Sequence, residues 1–208
     1  MVRRGVRFIP IYQRQSFVVD GVRRYWGGLT VEVSGGGLGL VDAEHEIAEK
    51  AGVRALYNLR AVQLVEQKGA VTGVVVRTRR GECETISAKT VILAAGGFHA
   101  NAEWRARYLG QNWDLAKVRG SRFNMGDGIR MALDAGAAPA GHWSACHSVA
   151  YDANAPKFGE LALLNQQKNS FPFGIIVNAR GERFFDEGAN FRNYIYANLG
   201  REILAQPD

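Results

Sequence analysis

The residues of this chain whose types and spacing could do chemistry are the acid in Met125-Gly126-Asp127-Gly128-Ile129 and the small-residue run Ala94-Ala95-Gly96-Gly97. A carboxylate between glycines at the start of an amphipathic helix lies beside oriented amides, and together they can hold a polar ligand. Upstream, Thr90-Val91-Ile92-Leu93-Ala94-Ala95 reads as a buried-type strand that stops abruptly in small residues. Where a strand ends in Ala-Ala-Gly-Gly, no side chain keeps a flat cofactor or a pyrophosphate away from the backbone. The dinucleotide fingerprint G-x-G-x-x-G is nevertheless absent. The run Gly35-Gly36-Gly37-Leu38-Gly39 has the wrong spacing, and its lead-in Thr30-Val31-Glu32-Val33 is short and carries an acid, so a close-packing loop is the favoured reading there.

Hydrophobic periodicity supplies the elements that must position these groups. Phe17-Val18-Val19-Asp20-Gly21-Val22-Arg23-Arg24-Tyr25-Trp26 predicts a hairpin turning at Asp20-Gly21, an arm or flap rather than core. A helix is expected over 40–51, closed by Gly52. Strands follow over 53–57, 60–66, 71–79 and 82–87, with Lys68-Gly69 turning between the second and third, and then the apolar strand 90–95. Asn101 is placed to cap a helix through Tyr108, 110–125 reads as a long loop, and a helix over 128–135 ends at Gly136. Pro139-Ala140-Gly141 suits a boundary between modules. Beyond it come a strand over 174–178, a turn at Asn178-Ala179-Arg180-Gly181 and a helix over 191–204. The fold class expected is mixed α/β.

Composition bounds the function. At 208 residues, 47% hydrophobic and 22% charged, the chain can bury a core and has room for one domain or two small ones. No apolar run approaches the roughly 18 residues that cross a bilayer, and the N-terminus lacks an apolar signal region, so a cytoplasmic location is expected. Cys83 and Cys146 lie far apart with no C-x-x-C partner, which points to reduced thiols rather than a disulfide framework or a zinc site. The net charge of +6 is spread over scattered arginines, which argues against nucleic acid. It suits a di- or tricarboxylate better, because guanidinium groups bind planar anions in a two-pronged way.

Taken in order, Trp26-Gly27-Gly28-Leu29, Gly36-Gly37-Leu38-Gly39-Leu40, Ala51-Gly52-Val53, Gly69-Ala70-Val71-Thr72-Gly73-Val74, residues 91–98, Gly126-Asp127-Gly128-Ile129 and the run from Val177 through Asn178-Ala179-Arg180-Gly181-Glu182-Arg183-Phe184-Phe185-Asp186-Glu187 resemble the flavoprotein subunits of the fumarate reductase and succinate dehydrogenase superfamily. Asp186-Glu187-Gly188-Ala189-Asn190-Phe191-Arg192-Asn193-Tyr194 brings the resemblance closest to tricarballylate dehydrogenase-like flavoproteins. The resemblance implies FAD as cofactor, residues 1–140 as a partial FAD-binding domain with a β-sheet insertion, and residues 141–208 as the beginning of a substrate-capping domain.

By the same resemblance, Ala95, Gly96 and Gly97 contact FAD, with alanine standing where the family carries threonine. Ala61 and Val62 touch the adenine portion by main chain, and Asp127 contacts the flavin, a plain helix cap being the alternative. His147 hydrogen-bonds a substrate carboxylate, with His142 as its rival; His45 and His99 have no such claim. Arg192 moves the proton at the substrate carbon, or else simply pairs with Glu187. The family's Thr-Glu-x-x-Arg proton relay is replaced here by Asn165-Gln166-Gln167-Lys168-Asn169-Ser170. The activity implied is hydride exchange between flavin and a polycarboxylate, with electrons passing to an iron–sulfur or membrane partner.

The glycine-rich pyrophosphate unit of the family would lie before residue 1 and its closing segments after residue 208, so the chain is expected to be an internal fragment, inactive alone. A cofactor-free binding or assembly module is the alternative, one that dimerises through an exposed sheet edge.

Overall fold

The computed structural model describes residues 1–12, 16–25, 30–159 and 170–207. The expectations for Trp26 to Leu29 and for the relay stretch 165–169 lie outside the described residues. The chain forms two compact units, 1–58 and 59–208. Pro139-Ala140-Gly141 lies inside the second.

In the first unit, β1 (Phe8–Pro10) pairs antiparallel with β4 (Val31–Val33). The hairpin forms as expected: β2 (Ser16–Val19) and β3 (Val22–Tyr25) are antiparallel, with Val19 opposite Val22. Asp20 and Gly21 both take positive φ, 51° and 74°, which a two-residue turn matched to strand twist requires. Helix α1 (Gly36–Lys50) begins inside the glycine run, four residues earlier than its apolar pattern suggested, and the Gly39 N–H donates to the Gly35 carbonyl. Lys50 lies in its last turn, where a cation suits the helix dipole.

The second unit is built on an antiparallel meander, β5 (Arg60–Gln67), β6 (Ala70–Arg77) and β7 (Cys83–Ser87), in that order. Among the described residues, three short helices follow, α2 (Ala102–Leu109), α3 (Asp127–Asp134) and α4 (Arg192–Leu204). Asn101 caps α2 as its type predicts, accepting from the Trp104 N–H at 3.2 Å. Within the expected loop, residues 113–115 wind into a 3-10 turn. Phe171, Ile195 and Leu199 form a buried cluster against which Ala150, Ile176, Phe184, Phe185 and Tyr196 pack, so the buried side of α4 faces this core. A second apolar group, Phe98, Trp104, Tyr108 and Trp143, meets edge-on and stacked at centroid distances of 5.0–6.0 Å.

Three expected strands do not form. Residues 53–57 and 90–95 join no ladder among the described residues, and 174–178 reduce to one bridge between Val177 and Arg183. The cause is common to all three. Apolar, β-branched composition gives a segment the propensity for a strand, but a strand exists only where another backbone takes its N–H and C=O groups. In 90–95 that gap leaves Ile92 86% exposed. No helix among the described residues is long and apolar enough to cross a membrane.

Candidate functional site

The first candidate region is a corner where β5, the small-residue run and the start of α3 meet. Asp127 is the first residue of α3, following Gly126 at φ 85°. Its carboxylate does not cap the helix. It pairs with Arg60 at the head of β5, accepting from Nε at 2.8 Å on Oδ2 and from Nη2 at 2.9 Å on Oδ1. Arg130, one turn along α3, adds a second cation at 3.6 Å. The hydrogen bonds from Arg60 hold the Asp127 carboxyl below the usual carboxylate range, against the opposing effect of partial burial, and the charges of Arg60 and Arg130 add to the lowering.

The small-residue run lies against the same helix start. The Gly126 N–H donates to the Gly97 carbonyl at 3.1 Å, and a Cβ on Gly128 would stand 3.0 Å from the Ala95 Cβ. Gly96 has φ 70°, and a Cβ there would come within 2.5 Å of Asn124 Oδ1, so only glycine fits. Ala94, Ala95 and Gly96 are exposed. The register of β5 against β6 slips between Ala61 and Gln63, which makes Val62 the extra residue of a bulge, its main chain out of the ladder. Thus Ala61, Val62, Ala95, Gly96, Gly97 and Asp127 come to one corner. It offers a flat backbone surface, main-chain groups outside the ladder and an ionised acceptor. Those are the groups that a large, polyhydroxylated, flat cofactor needs.

The second region is one face of α4. His147 Nε2 lies 3.0 Å from Tyr196 Oη, the two rings meeting at a centroid distance of 5.2 Å. Arg192, the first residue of α4, precedes Tyr196 by four positions and so shares its face one turn away. Both expected catalytic residues are therefore referred to the same helix. The packing that fixes this arrangement is tight: Ser148 Oγ donates to the Ala197 carbonyl at 3.0 Å, and a Cβ on Gly200 would lie 2.4 Å from the Val149 nitrogen. Gly200→Ala is expected to destabilise the protein by about 2 kcal/mol and to disturb the Tyr196 contact, seen as a lower thermal midpoint together with a changed His147 imidazole signal by NMR.

Arg192 and Glu187 do not make the simple pair left open by the sequence. Glu187, 5% exposed, accepts from Arg183 Nε and Nη2 at 3.0 and 2.6 Å and from the Ile176 N–H. Arg183, four residues away, takes the carboxylate. Arg192 instead reaches Asn193 Oδ1 at 3.2 Å. The hydrogen bonds from Arg183, then those from the backbone, hold Glu187 below its ordinary value. A carboxylate lowered in the folded state contributes stability that is full above its unfolded pKa and is lost as pH falls through the folded one. Urea midpoints of the wild type are therefore expected to fall more steeply than those of Glu187→Gln below about pH 4.3.

Three contributors escaped sequence reasoning: Arg60, Tyr196 and Arg105. Arg105 is 2% exposed and donates to four carbonyls, of His99, Trp113, Asp114 and Ala116. A cavity of about 480 Å³ opens beside it, lined among others by Trp113, Lys117, Arg119, Cys146 and His147. Only the sign of scattered arginines was visible in sequence, not their partners. Of the other histidines, His142 Nε2 meets Ser144 Oγ at 3.0 Å, His45 stacks on Tyr57, and His99 meets the Asn124 amide at 3.0 Å. Cys83 and Cys146 are both free thiols.

Residues 23–206 match the family model described as FAD binding domain. The chain is 31% identical over 188 residues to a 3-oxosteroid 1-dehydrogenase of Mycobacterium tuberculosis, covering 88% of this chain and 32% of that protein. It is 31% identical over 162 residues to a vinyl phenol reductase of Lactiplantibacillus plantarum, covering 76% and 33%. The open conformation of a flavocytochrome c3 fumarate reductase superposes with a TM-score of 0.68 at 25% identity, over 99% of this chain and 34% of that one. The chain thus spans about a third of the length of the relatives it matches. With the family model covering most of its length, it belongs to the FAD binding domain family, within the flavoprotein superfamily of fumarate reductase and succinate dehydrogenase.

Proposed function

We propose that this chain serves an FAD-dependent oxidoreductase that exchanges two hydrogens across a carbon–carbon bond of a polycarboxylate, of the tricarballylate or the fumarate and succinate type. The observation that carries the reading is the face of α4, where Arg192 and the His147–Tyr196 pair stand one turn apart. A guanidinium and an imidazole both suit carboxylates on a short carbon chain, as a steroid skeleton would not require. The net charge of +6 agrees in sign.

The corner around Asp127 fits FAD in chemistry: backbone without side chains at Ala95-Gly96-Gly97, main chain out of the ladder at Val62, and one ionised acceptor for hydroxyl groups. When bound there, FAD supplies hydride exchange. His147 and Arg192 orient the carboxylates, and Arg192 holds the proton that moves at the neighbouring substrate carbon. Residues 1–140 serve the cofactor side and 141–208 the capping side, with an iron–sulfur or membrane acceptor taking the electrons.

The test is a flavin absorbance titration followed by anaerobic additions of tricarballylate, succinate and a 3-oxosteroid to the oxidised flavin, and of vinyl phenol as an acceptor to the chemically reduced flavin. Bleaching of bound flavin by a polycarboxylate alone is expected. Bleaching only by the steroid overturns the substrate class, and failure to bind flavin favours the cofactor-free assembly module.

A further inference from the structure

We propose that Arg60 is a positioning residue of the flavin site: its two-pronged grip on Asp127 fixes the orientation of that carboxylate and leaves the remaining lone pairs for a hydroxyl group of the cofactor. The inference rests on the reading above that this corner takes FAD. It concerns a residue that neither the sequence motifs nor the family match singles out.

The geometry is specific. Arg60 uses one N–H on each carboxylate oxygen, Nε on Oδ2 at 2.8 Å and Nη2 on Oδ1 at 2.9 Å. An ionised carboxylate has about four acceptor positions, so two stay open after this pairing. The planar fork also removes rotation about the last side-chain bond, which a lysine, acting as a point charge, would not do. The pair joins residues 67 positions apart and ties the head of β5 to the first residue of α3, beside the wall made by Ala95 and Gly97.

The surroundings show that the pairing is not a by-product of strand formation. Arg60 stands directly opposite Arg77 in the ladder with β6, a like-charge position that costs rather than stabilises. On α3 the other charged neighbour is Arg130, 3.6 Å from Oδ1. Asp127 thus has cations from β5 and from its own helix, and Arg60 is the one with two hydrogen bonds. The Arg60 side chain is 56% exposed, and ion pairs so open to water add little to fold stability. Its value lies in where it holds the oxygen atoms.

The experiment is a thermodynamic cycle on FAD affinity, by flavin fluorescence quenching at a temperature where every variant is folded by circular dichroism. Arg60→Gln is expected to weaken FAD by roughly tenfold, the loss of a well-placed hydrogen bond to a charged acceptor. Arg60→Lys recovers part of it, and Arg60→Gln added to Asp127→Asn weakens FAD no further. The charge-swapped pair, Arg60→Asp with Asp127→Arg, separates positioning from simple bracing: it keeps the wild-type thermal midpoint without restoring FAD affinity. Additive losses in the cycle, or recovery of FAD affinity by the swap, overturn the proposal while leaving the flavin reading standing. Absence of FAD binding by the wild type overturns both.

Discussion

Replacing Arg192 with alanine lowers turnover of a polycarboxylate by the flavin-loaded protein by on the order of 10³-fold, while the spectrum and affinity of the bound flavin stay as they were. The argument starts from where the residue stands. Arg192 is the first residue of α4, and the first turn of that helix holds no acid. The amino-terminal end of a helix carries partial positive charge, so a cation there opposes the dipole instead of supporting it. Ile195 and Leu199, buried in the core, anchor the helix. Its Nε and Nη2 donate to Asn193 Oδ1 at 3.4 and 3.2 Å. The alanine variant is therefore expected to keep the wild-type thermal midpoint, which separates a chemical role from a structural one. Arg192→Lys keeps the charge but not the fork and should recover only part of the rate. Turnover retained by the alanine variant would remove Arg192 from the proton-transfer step.

The same contrast between local and distant determinants explains what could be read from the chain. Asp20-Gly21 and Lys68-Gly69 fix their turns through backbone conformations that few residue pairs adopt, Asn101 caps α2 with its own side chain, and Gly136 closes α3 at φ 85°. Each is a matter of a few neighbouring residues, and each was legible. The runs 53–57, 90–95 and 174–178 have strand-like composition too, yet their state is decided by backbone partners that composition does not specify. The candidate site divides along the same line. The glycines of the Ala95 to Gly97 corner and the acid at Asp127 stand out as types, whereas the Arg60 fork and the Tyr196 hydroxyl are tertiary pairings across 67 and 49 positions. The alternative left open for Arg192, a pair with Glu187, depends on tertiary partners in the same way. Arg183, four residues from Glu187, holds the carboxylate through Nε and Nη2.

Arg105 carries the largest expected effect on stability. Its guanidinium donates Nε to the Trp113 carbonyl at 2.8 Å, Nη1 to His99 at 2.5 Å, and Nη2 to Asp114 and Ala116 at 2.9 and 3.1 Å. Three of these acceptors come from the 3-10 turn at 113–115 and the residue that ends it, the Trp113 carbonyl also accepting the Ala116 N–H at 3.3 Å. Burial pulls the guanidinium below its ordinary value, and the nearby Asp114 carboxylate opposes that; it stays protonated because no arginine in a protein gives up its proton near neutrality. Arg105→Leu fills much of the volume but takes this donor from the His99, Asp114 and Ala116 carbonyls, while the Trp113 carbonyl keeps the Ala116 N–H. A buried polar group left unsatisfied costs about 1–3 kcal/mol, and partial access to water limits the sum to on the order of 4 kcal/mol. For a chain of this size that corresponds to a thermal midpoint lower by about 10 °C. Arg105→Lys can serve only part of the set and should fall between. Because the same residue lines the cavity that His147 also lines, loosening the 113–116 segment should raise amide exchange there and at His99 before the protein unfolds globally. A leucine variant with an unchanged midpoint and unchanged exchange would mean that water satisfies these carbonyls as well as the guanidinium does.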